Sequence, residues 1–401
     1  MFNFGNLKKK RTYLDYAAAT PLRKEVKEVM EQYWSINFAN PSSIHQDGVK
    51  AKLAIEMARE NVAKTLRVRT DDIVFTSGGT ESNNLVLLNL FEACSFDGKK
   101  EKMEIISTKV EHPSILETLK KMEERGVVVN YVPIDNTGRV QLDDLKKIIS
   151  PNTKLVSIAY ANSETGVVQD LNAIARVIKS FNKEYDSEIL FHTDASQAPR
   201  WLSCALDSLG VDLMTLDAAK CEGPKGIGVL VKRSWVKLSS ITYGGGQENN
   251  IRPGTEPVPL IVGASLALEL AKREYEETSH RVSLLRDRFI EELNNIPEVS
   301  LNGSVEHRLA NNVNISIPGF DTEFAVIFLD SRGVACSTKS ACSGASGGYS
   351  KVVYEMTKDK ERAKSTIRFS LSPNTKWKEL EKTVRILKEF IDSNRKFINA
   401  K

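Results

Sequence analysis

The sequence predicts an α/β fold, a mostly parallel sheet covered by helices on both faces, followed by a smaller α+β region. Three observations predict it. Short apolar runs alternate with amphipathic stretches of helical length from Asp72 to Arg233. Polar and glycine-rich residues fall directly after those runs, at the strand ends where ligands of such sheets bind. From about Pro257 the alternation gives way to one long helical region, and strand and helix patterns then follow singly.

Composition narrows the class. The chain has 401 residues, 41% hydrophobic and 27% charged, enough for a large core in two domains or one large one. No apolar run approaches the length that spans a bilayer, which argues against a membrane role. The 56 basic and 52 acidic residues are spread along the chain, and the one basic cluster is Lys8 to Arg11, so direct nucleic-acid binding is not expected. The opening residues lack the apolar core of a secretion signal and the length of a transit peptide, which predicts a cytoplasmic protein. Cys94, Cys204, Cys221, Cys336 and Cys342 are odd in number and lack paired zinc spacing, so neither a disulfide framework nor a metal site is expected. Cys342 lies in SACSGASGG, a small-residue stretch that reads as an exposed loop whose thiol becomes a nucleophile once deprotonated.

In order, TYLDYAAATP reads as a short strand and turn closed by Pro21. In the next segment Ser42 or Ser43 is positioned to cap a helix, and Val49, Leu53, Met57 and Val62 recur at near-helical spacing, predicting a face turned to the core. IVFTSGGTESNN reads strand, tight turn, helix. That order brings the amides of a helix start to a strand end, an anion site in outline or a plain glycine-rich turn. Alternation then continues through MEIIST, SILETLKKMEERG, VVVNYVPID, LDDLKKII, KLVSIAYA and LNAIARVIKSFNKEY to two apolar runs, one ending at Asp194 and the other just before Lys220, and on to GIGVLVKR. His112, Asn162, Ser163, Asp194, Gln197 and Lys220 all follow apolar strands closely, so one sheet edge is able to collect them. GGGQ at Gly244 to Gln247 and RPGT at Arg252 to Thr255 form an irregular segment, by default only a loop, although segments rich in Gly, Asn and Pro often lie at a site or subunit contact. An acid and a lysine at strand ends suit pyridoxal phosphate, whose aldehyde needs a lysine and whose ring nitrogen needs a carboxylate. They are equally the residues of an ordinary strand end.

Taken together, YLDYAAATP, NPSSIHQDG, IVFTSGGTESNN, EHPS, NSETGVVQD, HTDASQ, the lysine before GPKGIG, GGGQ, RPGT, SAC and IRFSL occur in an order that resembles the cysteine desulfurases. These are fold-type I pyridoxal-phosphate enzymes, and the likeness is to the iron–sulfur-cluster branch, from Tyr13 to Phe397. The resemblance implies a large cofactor domain, 18–264, with a mostly parallel seven-stranded sheet. It also implies a small C-terminal domain, 265–401, carrying a mobile cysteine loop, and an N-terminal segment, 1–17, packed with that domain. Lys220 resembles the Schiff-base lysine and Asp194 the acid on the pyridine nitrogen. Gln197 would contact the ring hydroxyl and His112 would stack on the ring. Gly79 and Thr80 would hold the phosphate, and Thr255 would reach the neighbouring subunit's phosphate. Asn162 and Ser163 fall in the motif beside cofactor and substrate, Arg368 would grip the substrate carboxylate, and Cys342 would take the sulfur as a persulfide. A homodimer is implied, with L-cysteine as substrate, alanine as product and an acceptor protein for the sulfur, a cluster scaffold or a thiolation enzyme.

The chain departs from the family pattern near the cofactor. The serine and histidine that usually stand three and one residues before the lysine are Asp217 and Ala219. Ser163 replaces an asparagine, and Lys339 replaces a glycine three residues before the nucleophile. An ionised Asp217 about 4 Å from one phosphate charge would repel it by about 4 kcal/mol at an effective dielectric near 20. Two other readings therefore remain beside an active desulfurase: a relative with impaired cofactor binding kept as a dimeric partner-binding protein, and a selenocysteine lyase.

Overall fold

The structure is a computed structural model that describes residues 11–96, 103–338 and 348–398. Lys339 and Cys342 lie outside the described residues. In chain order the elements are β1 (Thr12–Tyr13), α1 (Lys24–Ser35), α2 (Gln46–Leu66), β2 (Ile73–Thr76), α3 (Gly79–Phe96), β3 (Glu104–Ser107), α4 (Pro113–Glu123), β4 (Val128–Tyr131), α5 (Leu142–Ile148), β5 (Thr153–Ser157), α6 (Leu171–Tyr185), β6 (Leu190–Asp194), α7 (Leu206–Leu209) and β7 (Leu213–Asp217). They continue with β8 (Gly228–Lys232), α8 (Gln247–Asn250), α9 (Val258–Asn294), β9 (Ser300–Leu301), β10 (Asn312–Ser316), α10 (Thr322–Ser331), β11 (Val334–Ala335), α11 (Lys351–Thr357), α12 (Lys360–Lys364), β12 (Thr366–Ser370) and α13 (Trp377–Ile398). None of the described helices is long and apolar enough to cross a membrane.

One compact unit comprises Ala19–Ser163 and Val167–Thr278. Its seven strands lie in the order β2-β8-β7-β6-β5-β3-β4. Only β8 runs antiparallel to its neighbours. Successive residues of each strand feed opposite faces. Ile73, Phe75, Ile106, Val156, Met214 and Val229 join one buried apolar cluster, while Val74, Ile105, Leu155, Leu213 and Leu230 join another. Both faces are dry, which is why the strands read as continuous apolar runs.

Capping sets several helix starts. Asp170 accepts from Ala173 N at 3.0 Å and opens α6. At α2 the cap is His45, not Ser42 or Ser43. Its Nδ1 accepts from Gly48 N at 3.3 Å, and Gly48 sits so close to Ser43 that a Cβ would lie 2.3 Å from Ser43 O. The core face of α2 also differs from the periodic reading. Val62 is buried, but Val49, Leu53 and Met57 are 46%, 56% and 69% exposed. Ala51, Ala54, Ile55, Ala58 and Val62 face inward instead, since small residues let the helix approach its neighbours. Helix α1, which the periodic reading did not pick out, buries only Val26 and Met30.

The second unit holds the described residues up to Ala18, Glu164–Gly166 and the chain from Ser279 onward. Its sheet is antiparallel, in the order β12-β10-β9, and β1 pairs in parallel with β11. Phe289 and Phe369 meet edge to face at 5.5 Å in its core.

A buried ion pair ties the glycine-rich segment to the large sheet. Arg59 donates to Glu248 through two nitrogens, at 3.0 and 2.7 Å, and Phe75 N donates to the same carboxylate at 2.8 Å. Glu248, Asn249 and Asn250 are all left-handed, with φ of 48°, 56° and 64°, a strained run that the ion pair holds. Arg59→Ala or Glu248→Ala is expected to cost roughly 3–5 kcal/mol, because each leaves a buried charge unmatched. In urea denaturation the double variant should lose less than the sum of the two.

Candidate active site

Six of the seven strands in the large sheet run the same way, so their C-terminal ends share one edge. Onto that edge β2 delivers Gly79 and Thr80, β3 delivers His112, and β5 delivers Asn162 and Ser163. From β6 come Asp194 and Gln197, and from β7 come Asp217 and Lys220. Arg368 lies on β12 in the second unit, and Thr255 is exposed in the irregular segment before α9.

Asp194 closes β6 and is half-buried. Its carboxylate accepts from Asn83 Nδ2 at 2.8 Å and from Ser196 N at 2.9 Å. Asn83 is fully buried and also donates to Ser114 Oγ at 2.9 Å. Ser114 Oγ in turn lies 2.8 Å from His112 Nδ1. This chain of contacts fixes the imidazole, which caps α4 by accepting from Ser114 N at 3.2 Å. Burial lowers the pKa of His112, and the charges of Asp194, Lys220 and Asp217 all reach it. The ring is therefore neutral near pH 7 and flat, suited to stacking.

Lys220 is half-buried and ends a 3-10 turn, Ala218–Lys220, that follows β7 directly. Asp217 caps this turn, its Oδ1 accepting from Ala219 N at 2.9 Å. One carboxylate oxygen is thus committed to local capping. The other lies 4.0 Å from where a Cβ on Gly78 would stand, so the acid faces the Ser77–Gly79 turn rather than turning away from it.

That turn has the form of an anion cradle. The first N–H groups of α3 have no acceptor within the helix. Gly228 lets the turn press against β8, since a Cβ there would come within 2.6 Å of Gly78 C. Ser196 Oγ, buried and without a hydrogen-bond partner, lies 3.0 Å from the Cβ position of Gly79. Lysine, held carboxylate, neutral ring and cradle form a donor set that fits pyridoxal phosphate, and Asp217 is its one discordant member. Elsewhere, Asn162 Nδ2 donates to Val110 O at 2.8 Å. In the second unit Arg368 is buried, and its Nη2 meets Asp15 Oδ1 at 2.8 Å.

Glu111, Asn83 and Ser114 were not singled out from the sequence, although all stand inside its quoted motifs. Periodicity does not show which polar residue of a helix start turns inward. Glu111 is buried, accepting from Thr108 Oγ1 at 2.7 Å and Ala159 N at 3.0 Å. Burial first, and then the charge of Asp194, push its pKa from 4.5 to about 7.

The Aminotransferase class-V family profile matches residues 12–383. Cysteine desulfurase IscS of Dictyoglomus turgidum is 42% identical over 388 residues, covering 96% of this chain and 96% of that protein. Cysteine desulfurase IscS of Methanosarcina thermophila is 38% identical, covering 96% of this chain and 93% of that one. Among solved structures, a NifS-like protein superposes with a TM-score of 0.88 at 34% identity, covering 96% of this chain and all of that one. A structure described as SspA in complex with cysteine gives 0.77 at 35% identity, covering 90% and 99%.

The raised pKa of Glu111 has a pH signature. Between pH 4.5 and about 7 the folded protein keeps a proton that the unfolded chain releases, so this group's contribution to stability falls as pH rises through that window. Glu111→Gln removes the effect. Urea denaturation from pH 5 to 8 should show the variant gaining on the parent by on the order of 3 kcal/mol.

Proposed function

Because the chain belongs to the class-V aminotransferase family, and to the cysteine desulfurases within it, we propose that it binds pyridoxal phosphate on Lys220 and takes sulfur from L-cysteine. The observation that carries this reading is the placement of a doubly held Asp194 and of Lys220 just beyond the ends of the adjacent parallel strands β6 and β7, with His112 sensing both charges. When bound, pyridoxal phosphate supplies an electron sink that draws charge from the substrate's α-carbon.

The chain's own residues do the rest. Asp194 holds the ring-nitrogen proton, Gln197 meets the ring hydroxyl, and His112 stacks. Gly79 and Thr80 present helix-start amides to the phosphate, and Asn162 and Ser163 line the same edge. Lys220, whose amine would hold the cofactor, would also move the α-proton. Arg368, held by Asp15, takes the substrate carboxylate. The Cys342 thiolate then bonds to the substrate sulfur as the carbon–sulfur bond breaks. Cys342 keeps that sulfur as a persulfide, and the remaining carbon skeleton takes up a proton and leaves as alanine. The persulfide passes to an acceptor protein that serves iron–sulfur cluster assembly or nucleoside thiolation. A reducing cytoplasm suits this chemistry and the free, buried Cys204, Cys221 and Cys336.

A homodimer completes the reading. The outward stripe Val49, Leu53, Met57 on α2, with Ile44 lining the same groove as Val49, is an apolar face on the large unit. A groove of about 430 Å³ between Ile44, Val49, Gln247 and Glu256 lies beside Thr255, the residue assigned to a neighbouring subunit's phosphate.

Purified protein with added pyridoxal phosphate should develop the visible absorbance of a lysine-linked cofactor and release sulfide from cysteine under reductant. Lys220→Ala should lose the band, whereas Cys342→Ala should keep it and lose roughly a hundredfold or more in sulfide release. A parent protein that binds no cofactor would overturn the reading, and undiminished turnover in Cys342→Ala would remove the persulfide step. Leu53→Asp should shift sedimentation toward the monomer; an unchanged dimer would place the interface elsewhere.

A further inference from the structure

Behind the Lys220 turn stands a ring of charges that takes no part in the chemistry above. Arg200 meets Glu222 at 3.0 Å, with side chains only 6% and 12% exposed. Arg200 Nη1 also donates to Glu274 Oε2 at 3.0 Å, and Arg23 Nη1 donates to the same oxygen at 2.8 Å. Arg23 closes the ring through its backbone, its N–H donating to Glu222 O at 3.0 Å. Arg23 also meets Glu25 at 3.1 Å and Glu274 meets Arg273 at 3.4 Å, so three cations face three anions and the cluster is neutral as a whole.

The ring bears on Lys220 from both sides. Glu222 is left-handed at φ 63°, a conformation that a residue with a side chain keeps only where its surroundings over-determine it. Thr20 Oγ1 accepts from Glu222 N at 2.8 Å and donates to Ala219 O at 2.9 Å, so the backbone before and after the lysine is tied to one hydroxyl. The sheet does not extend this far. The last ladder pair of β7 is Asp217 with Gly228, and Lys220 lies beyond it. Arg200, for its part, comes from the segment that follows Asp194, the last residue of β6, and carries Gln197. The Arg200–Glu222 pair therefore joins the segment that leaves Asp194 to the lysine's turn, beyond the last ladder pairs Asp194–Thr215 and Asp217–Gly228.

We propose that Arg200 and Glu222 are positioning residues that fix Lys220 relative to Asp194. The inference rests on the reading of Lys220 as the cofactor lysine. The two residues act through the turn, not on substrate or cofactor. Their ionic link takes the place of the strand ladder beyond Asp217.

The test uses the full-length apoprotein as parent, Glu222→Gln, Arg200→Met and the double variant. Trinitrobenzenesulfonate labelling of Lys220 is read by peptide mass spectrometry, with the exposed Lys147 as internal standard. Each single variant should raise the Lys220 rate by about tenfold, the scale at which small misplacements of a reacting group are felt. The double should do no more than either single, since both break one link. Glu222→Asp, which keeps the charge, should fall between parent and Glu222→Gln. Parental labelling in variants with parental circular dichroism would make the ring merely structural and overturn the proposal, as would additive effects. If neither single variant folds, Glu274→Gln on the half-exposed side of the ring should still raise the rate by about threefold, and no change there overturns the proposal equally. Borohydride trapping of pyridoxal phosphate on parental Lys220 tests the functional reading separately, because the labelling needs no cofactor.

Discussion

A sheet buried on both faces leaves its strand ends as the place for polar chemistry, and the large unit is built on that constraint. Ile105 and Ile106, Leu155 and Val156, and Leu213 and Met214 point to opposite apolar layers. A charged group in the middle of such a strand would lose its hydration without a partner. A titratable side chain that does lie there, His192, is locked between Ser157 and Thr215, and burial pushes its pKa down so that it stays neutral. Acidic and basic side chains gather instead at and just beyond the ends of β6 and β7, where donors are at hand.

At that edge the carboxyl groups meet different environments. Asp194 accepts from two N–H donors, whereas Glu111, the residue before His112, is sealed in and holds its proton up to about pH 7. Asp217 is a third. Its capping bond to Ala219 N explains a local use for an acid at this position, because a turn that ends in Lys220 needs its first amides satisfied. Its second oxygen still faces the glycine turn, so any phosphate bound there meets a carboxylate that the family pattern does not have.

Much of this was legible in the residues. Strands and helices of the large sheet announce themselves by period, and glycines and polar residues directly after the strands mark the functional edge. Helix α2 shows where such reading stops. Its residues Val49, Leu53, Met57 and Val62 form a proper helical stripe, yet only Val62 turns inward, and the alanines one turn away do the packing. Period identifies a stripe, but a helix with an alanine face and a larger apolar face has two candidate interiors. Contact with the sheet selects one, and the other is left outward. Ser42 and Ser43 likewise have the right chemistry for a cap, but the close approach of Gly48 to Ser43 gives the role to His45.

The sequence by itself determined the class of fold and the sheet edge at which His112, Asn162, Asp194 and Lys220 gather, because these follow from local period and from residue type at strand ends. Only the tertiary structure decided what holds those groups in place. Asn83 on Asp194, Ser114 beside His112, and Arg200 on Glu222 behind Lys220 are separated by tens of residues or more from the elements they brace, or are turned inward by them. Hydrogen bonds and ion pairs of this kind depend on distance and burial, and neither is written in the order of the chain until the sheet has brought its strands together.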